Sequence, residues 1–168
     1  LKRLLRAFPI AIFSFLLYIL YSGSFRLYDI ATGIVVSITV GVVMAYIVIE
    51  DWRKPFNVYR LFNLVIYTIR YFLISEVKAH LNVIKIGLSP SLPIKPGIVR
   101  VPIKSRSGYA ITLVSLSITN TPGTVVIDVD EEKGVLYVNW IYVSSTKSED
   151  IYRDVAEEFD LYAKRIFD

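Results

Sequence analysis

The chain has 168 residues, 54% hydrophobic and 20% charged, with a mean hydropathy of +0.52 and a net charge of +4. This mixture excludes an ordinary soluble domain, which is rarely so apolar, and a pure transporter core, which is more uniformly so. It calls for membrane helices joined to one small water-soluble unit. The absence of cysteine excludes disulfides, thiolate metal centres, iron–sulfur ligation and cysteine nucleophiles, and a single histidine excludes a multi-histidine zinc or haem site within the chain.

The chain opens on Leu1, as from an unusual initiation codon or a trimmed end. The first apolar run covers residues 7–21, and Leu4 and Leu5 extend it while Arg6 snorkels to the interface. Lys2, Arg3 and Arg6 imitate the charged start of a signal peptide. Against that reading, Tyr21-Ser22-Gly23-Ser24-Phe25 is a poor cleavage site and a second apolar run follows at once. That second run, residues 27–49, carries one charge, Asp29, and as a helix is about 34 Å long, enough to cross a bilayer core. The two form a helical hairpin turning at Ser22-Gly23-Ser24. Gly33, Ser37, Gly41 and Ala45 recur every four residues on the second helix, a small-residue stripe suited to close packing on a neighbouring helix.

Basic residues set the orientation. Lys2, Arg3 and Arg6 precede the first span and Arg53, Lys54 and Arg60 follow the second, whereas the turn holds only Arg26. By the positive-inside rule both ends of the hairpin are cytoplasmic. Residues 57–86 have helical periodicity with a polar face of Arg60, Asn63, Arg70, Lys78, Asn82 and Lys85 opposite Leu61, Leu64, Val65, Ile69, Phe72 and Leu73. This pattern predicts an amphipathic helix in the membrane interface. A third crossing is the alternative. It would bury Arg70 at a cost of about 2.5–3.5 kcal/mol and put the rest of the chain outside. Glu76 and His80, one turn apart, project away from the basic stripe, and can pair. With Lys78 they are candidates for an ion path, against the plainer reading of a surface ion pair.

Residues 88–97, with Pro90, Pro93 and Pro96, form a proline-rich linker that cannot be helical throughout. Beyond it, Ile98–Ile103 reads as extended, with Pro102 marking an edge strand. Ser107 to Thr119 reads as a short helix with Ser107 as N-cap. Thr124–Asp130 and Val135–Val143 read as strands joined by a turn at Lys133-Gly134. Thr146-Lys147-Ser148-Glu149 has the form of a capping box before a helix whose core stripe is Ile151, Val155, Phe159, Tyr162 and Ile166. The predicted domains are a two-helix membrane hairpin (1–56), an amphipathic interfacial or third transmembrane helix (57–87), the linker (88–97) and a small cytoplasmic α+β domain of order β-α-β-β-α (98–168).

Little in the soluble part points to chemistry. Asp128, Asp130, Glu131 and Glu132 lack the spacing and central glycine of a calcium loop, so a solvated hairpin is expected there and no metal. Thr119-Asn120-Thr121-Pro122-Gly123-Thr124 lacks the lysine and glycine spacing of a phosphate cradle, and no nucleophile-elbow element is present. No cofactor is expected, and the juxtamembrane bases account for the basic balance without nucleic acid.

Six elements together resemble the E subunit of Mrp-type multisubunit sodium/proton antiporters. They are Glu76–Val83, Pro96–Val99, Ile111-Thr112-Leu113, Ile118–Thr124, Asp128-Val129-Asp130-Glu131 and Leu136–Trp140. His80 stands where Asn is more usual, and Asn139 where His is. The resemblance implies a small subunit in the cell membrane with no catalytic centre of its own, working only with other membrane subunits and the lipid bilayer. The parent assembly it implies exchanges sodium for protons, or is an archaeal respiratory complex such as the membrane-bound hydrogenase or its sulfur-reducing relative. The alternatives are direct participation in ion passage through Glu76, Lys78 and His80, and a free-standing membrane-anchored adaptor.

Overall fold

A computed structural model describes residues 2–45, 47 and 53–168, with side chains from residue 5 onward. The end of the expected second span (46, 48 and 49), Leu1, and the side chains of Lys2, Arg3 and Leu4 lie outside the described residues. The chain divides into two compact units, Leu1–Val58 and Tyr59–Asp168.

The first unit is a helical hairpin. Helices α1 (Lys2–Ser22) and α2 (Leu27–Met44) each hold an 18-residue window apolar enough to span a bilayer, Leu5–Ser22 and Leu27–Met44. The reversal needs Gly23, whose φ of +61° suits a residue without Cβ. Asp29, the one acid of α2, sits in its first turn, where the helix dipole favours it, and accepts a 2.6 Å hydrogen bond from the Ser24 hydroxyl.

The second unit holds α3 (Val58–Arg70), a π turn (Tyr71–Ser75), α4 (Glu76–Gly87), β1 (Gly97–Pro102), α5 (Gly108–Asn120), β2 (Thr124–Asp130), β3 (Val135–Trp140), α6 (Ser148–Val155) and α7 (Glu157–Phe167). The three strands form an antiparallel sheet in the order β1-β3-β2, so Pro102 lies on an edge strand. Period-two alternation turns Val99, Val101, Leu136 and Val138 to one face. There they meet Ala110, Ile111, Val114 and Ile118 of α5, Ile151 and Val155 of α6, and Phe159, Ala163 and Ile166 of α7 in a single core. Val101, Val114, Leu136 and Val138 are fully buried. The α+β architecture after a two-helix hairpin is the one expected.

Four local expectations are corrected. The 57–86 segment is not one regular helix: the Glu76 N–H bonds the Tyr71 carbonyl five residues back, which takes up an extra residue in the π turn. The third strand ends at Trp140 rather than Val143, because Ile141 and Val143 bond Gly123 and Lys95 instead. The capping box does not form. The helix starts one residue later, at Ser148, with no side-chain cap, and Ser145 ties the entering turn to it by accepting from the Lys147 N–H and donating to Asp150. The terminal helix is two, bent at Ala156 (φ −127°). Residues eight apart lie about 12 Å along a straight helix, and the bend brings the Tyr152 hydroxyl within 3.0 Å of the Asp160 carboxylate.

Candidate functional site

The sequence candidates fall at two places, the facing surfaces of the hairpin and the start of α4. On α2, Gly33, Ser37, Gly41 and Ala45 are all buried. A Cβ at Gly41 would lie 2.8 Å from the Ala7 carbonyl oxygen and 3.0 Å from the Ala11 Cβ, and one at Gly33 would lie 2.8 Å from the Tyr18 ring. The stripe therefore faces α1 of its own hairpin. Ser37, 2% exposed, has no hydrogen-bond partner for its hydroxyl.

The start of α4 is a polar junction. Tyr71 donates a 2.5 Å hydrogen bond to Glu76 Oε1, and the Asn120 amide donates to both the Tyr71 hydroxyl (2.9 Å) and Glu76 Oε1 (3.2 Å). On the other side His80 Nδ1 lies 2.9 Å from the Glu76 carbonyl oxygen and 3.3 Å from Oε2. The Glu76 side chain is 13% exposed and that of His80 61%. The structure thus brings Glu76 and His80 together, while Lys78 is exposed and makes no ion pair among the described residues.

Asn120 is the last residue of α5, placed by the turn after it. Pro122 cannot extend the helix. Thr121 and Thr124 donate their hydroxyls to the Ser117 and Ile118 carbonyls, at 2.6 and 2.8 Å, satisfying groups the helix end leaves open. Gly123, at φ +100°, completes the turn, with Val83 of α4 3.5 Å from where its Cβ would stand. The Thr-Pro-Gly-Thr element is therefore a helix stop that aims Asn120 at Glu76.

The same face of α3 is tied down along its length. Arg60 Nη1 donates to the Ile166 carbonyl at 2.7 Å. Arg70 Nε and Nη2 both reach Glu158 Oε1 at 2.8 Å, and Ser75 donates to Oε2. The Tyr67 and Ser117 hydroxyls bond each other, and the Tyr67 ring packs tilted against Tyr162 as Tyr71 does against Phe159. Burial pushes the Tyr67 phenol up to about 12. Burial and the Glu76 carboxylate raise Tyr71 as well, so both phenols stay protonated at neutral pH and act as donors.

Sequence reading missed Tyr67, Tyr71, Ser117 and Asn120. Helical periodicity alone put Glu76 away from the polar face, because an uninterrupted α-helix turns about 100° per residue and the π turn resets the count by one. The acidic hairpin is occupied by its own neighbours. Asp130 accepts from the Lys133 N–H and ammonium at 3.0 and 2.6 Å, which holds its carboxyl below the usual range, and Asp128 accepts from the Val129 N–H. Among the described residues no three His, Asp or Glu side chains are grouped to hold a metal. The junction's chemistry is that of a charge-assisted clamp between α4 and α5, with an imidazole at its outer edge.

Comparison with known proteins follows the same lines. The family described as "Na+/H+ ion antiporter subunit" (MNHE) matches residues 11–166. The E subunit of the Na(+)/H(+) antiporter of Alkalihalophilus pseudofirmus is 30% identical over 83% of this chain and 84% of its own length. The E1 subunit of the Staphylococcus haemolyticus antiporter is 31% identical over 80% and 81%. Among solved structures, a chain of the membrane-bound sulfane sulfur reductase, an archaeal respiratory membrane complex, superposes with a TM-score of 0.82 at 26% identity, covering 96% of this chain and 99% of that one. With the two apolar helices, the three-stranded sheet and this match over nearly all its length, the chain belongs to the family of Na+/H+ antiporter E subunits, membrane components of multisubunit complexes.

Proposed function

We propose that the chain is a non-catalytic assembly subunit of a complex that exchanges sodium for protons across the cell membrane. Its hairpin spans the bilayer and residues 98–168 sit on the cytoplasmic side. The observation that carries this reading is the junction at Glu76. The one carboxylate of α4, largely shielded from solvent, is engaged from the inside by Tyr71 and Asn120, side chains that hold two elements together. The bases flanking the hairpin support the orientation. The relation to an archaeal respiratory complex supports two parents for this subunit, a stand-alone antiporter or the antiporter-like module of a hydrogenase or sulfur-reducing complex.

A second reading makes Glu76, Lys78 and His80 part of the ion route, favoured by the 3.3 Å approach of His80 to the Glu76 carboxylate. A relay needs a second readily titrating group beyond Glu76, and the groups found there are a phenol held protonated and the amide that donates to it. Affinity purification of the tagged chain in mild detergent tests the assembly reading. It predicts recovery with antiporter-type membrane subunits in fixed proportion; a lone, stable monomer would support the free-standing adaptor instead.

A further inference from the structure

The face of α3 and α4 that turns away from the core is apolar along its whole length. Phe62 (62% exposed), Val65, Ile69, Leu73 (69%), Val77 and Leu81 (60%) lie along it. Counted at about 100° per residue, Val77 and Leu81 would rotate away from Phe62 and Ile69 if the helix were regular, and Glu76 would enter the apolar strip. The extra residue of the π turn cancels that rotation. Phe62, Ile69, Val77 and Leu81 stay in one line, while Asn63, Tyr67, Tyr71, Ala79 and Val83 stay turned inward, each buried or half-buried.

The strip runs roughly 28 Å, yet it does not cross a bilayer. The inward face is fastened to the α+β core from Arg60 to Val83. A crossing would carry the exposed Glu157, Lys164 and Arg165 of α7 into hydrocarbon. Lys78 and Lys85 flank the strip, exposed and without an acidic partner among the described residues, so the surface pairs an apolar line with unneutralised positive charge.

We infer that this strip lies in the lipid–water interface of an anionic bilayer, with Lys78 and Lys85 at the phospholipid headgroups, and that the π turn keeps it in one line. This rests on the chain being membrane-anchored but not on which complex it joins. The natural absence of cysteine makes the test direct. Single cysteines replace Phe62, Leu73 and Leu81, with Val36 in α2 as the core reference, in the full chain. Each is spin-labelled and reconstituted in phosphatidylcholine vesicles with or without phosphatidylglycerol, and collision with oxygen and with a water-soluble nickel chelate gives its depth. The expected result is one shallow depth for all three strip positions, about 5–10 Å below the headgroups, with Val36 deeper. Lys78→Glu with Lys85→Glu lowers the partitioning of the Leu81 label into lipid about fivefold per base in the anionic vesicles only.

Depth rising steadily from Phe62 to Leu81 would mean a crossing and would overturn the inference. So would shielding from both reagents, the mark of a protein neighbour. Strip labels in water with Val36 in the core sink the lipid assignment alone, whereas Val36 in water sinks the anchor reading with it.

Discussion

Two glycines of α2 look equivalent in sequence and differ in what faces them. The nearest atom to a Cβ at Gly41 is the Ala7 backbone carbonyl, which cannot move without moving α1; at Gly33 it is the Tyr18 ring, which can swing aside. Gly41→Ala is therefore expected to destabilise the hairpin by about 1–3 kcal/mol and Gly33→Ala by clearly less, read from thermal unfolding of the detergent-solubilised chain. Equal losses would show that close backbone approach is not what fixes the pair.

Asp160 of α7, 1% exposed, accepts the Lys104 and Ser105 N–H groups, the Ser105 hydroxyl and the Tyr152 hydroxyl. Burial, and then the Asp160 charge, push the Tyr152 phenol above its ordinary 10.0. A phenol whose folded pKa is raised adds stability that is complete below the unfolded value and is lost as pH rises through the folded one. Stability should thus fall above pH 10. Tyr152→Phe should cost about 1 kcal/mol at neutral pH and flatten that alkaline decline, as followed by urea unfolding across pH.

At the scale of elements, the π turn acts as an insertion that a regular helix can do without. Deleting Ile74, half-exposed on the flank, should restore α-helical geometry while both faces of α3 and α4 stay as they are. The Glu76–Asn120 contact survives and stability changes by less than about 1 kcal/mol. Inserting one alanine there should rotate α4 by about 100° and break the contact. Amide hydrogen exchange of α4 distinguishes the two variants, and equal protection in both would contradict the account.

Much of this level was legible in the residues. Alternation gave the strands, Ser107 caps α5 by accepting from the Ala110 N–H as its type and position suggest, and Pro102 marked the edge. What periodicity could not supply was the change of period at Tyr71. The turn carries no glycine or proline to announce it, and every angle counted beyond it is wrong by one residue's rotation. Part of the polar face of 57–86 is likewise explained only by distant partners: Arg60 and Arg70 bond groups of the same unit, and pairs such as Arg70–Glu158, 88 positions apart, leave no local signal.

For the molecule as a whole, the family signature and the clamp turn out to be the same residues. The Glu76–Val83 stretch and the Thr-Pro-Gly-Thr turn, read from sequence as separate resemblances, meet through Asn120 and Gly123. An assembly subunit of an ion-exchanging complex needs such rigidity more than it needs a titrating group, and a partly shielded carboxylate answers both descriptions until its charge is removed. Glu76→Gln removes the charge while keeping the oxygen that accepts from Tyr71 and Asn120. Sodium-driven proton exchange in inverted membrane vesicles, measured on the fully assembled complex carrying Glu76→Gln, is the most direct test. The account predicts exchange within about twofold of the parent; loss of exchange from a fully assembled complex would contradict it and place Glu76 on the ion route.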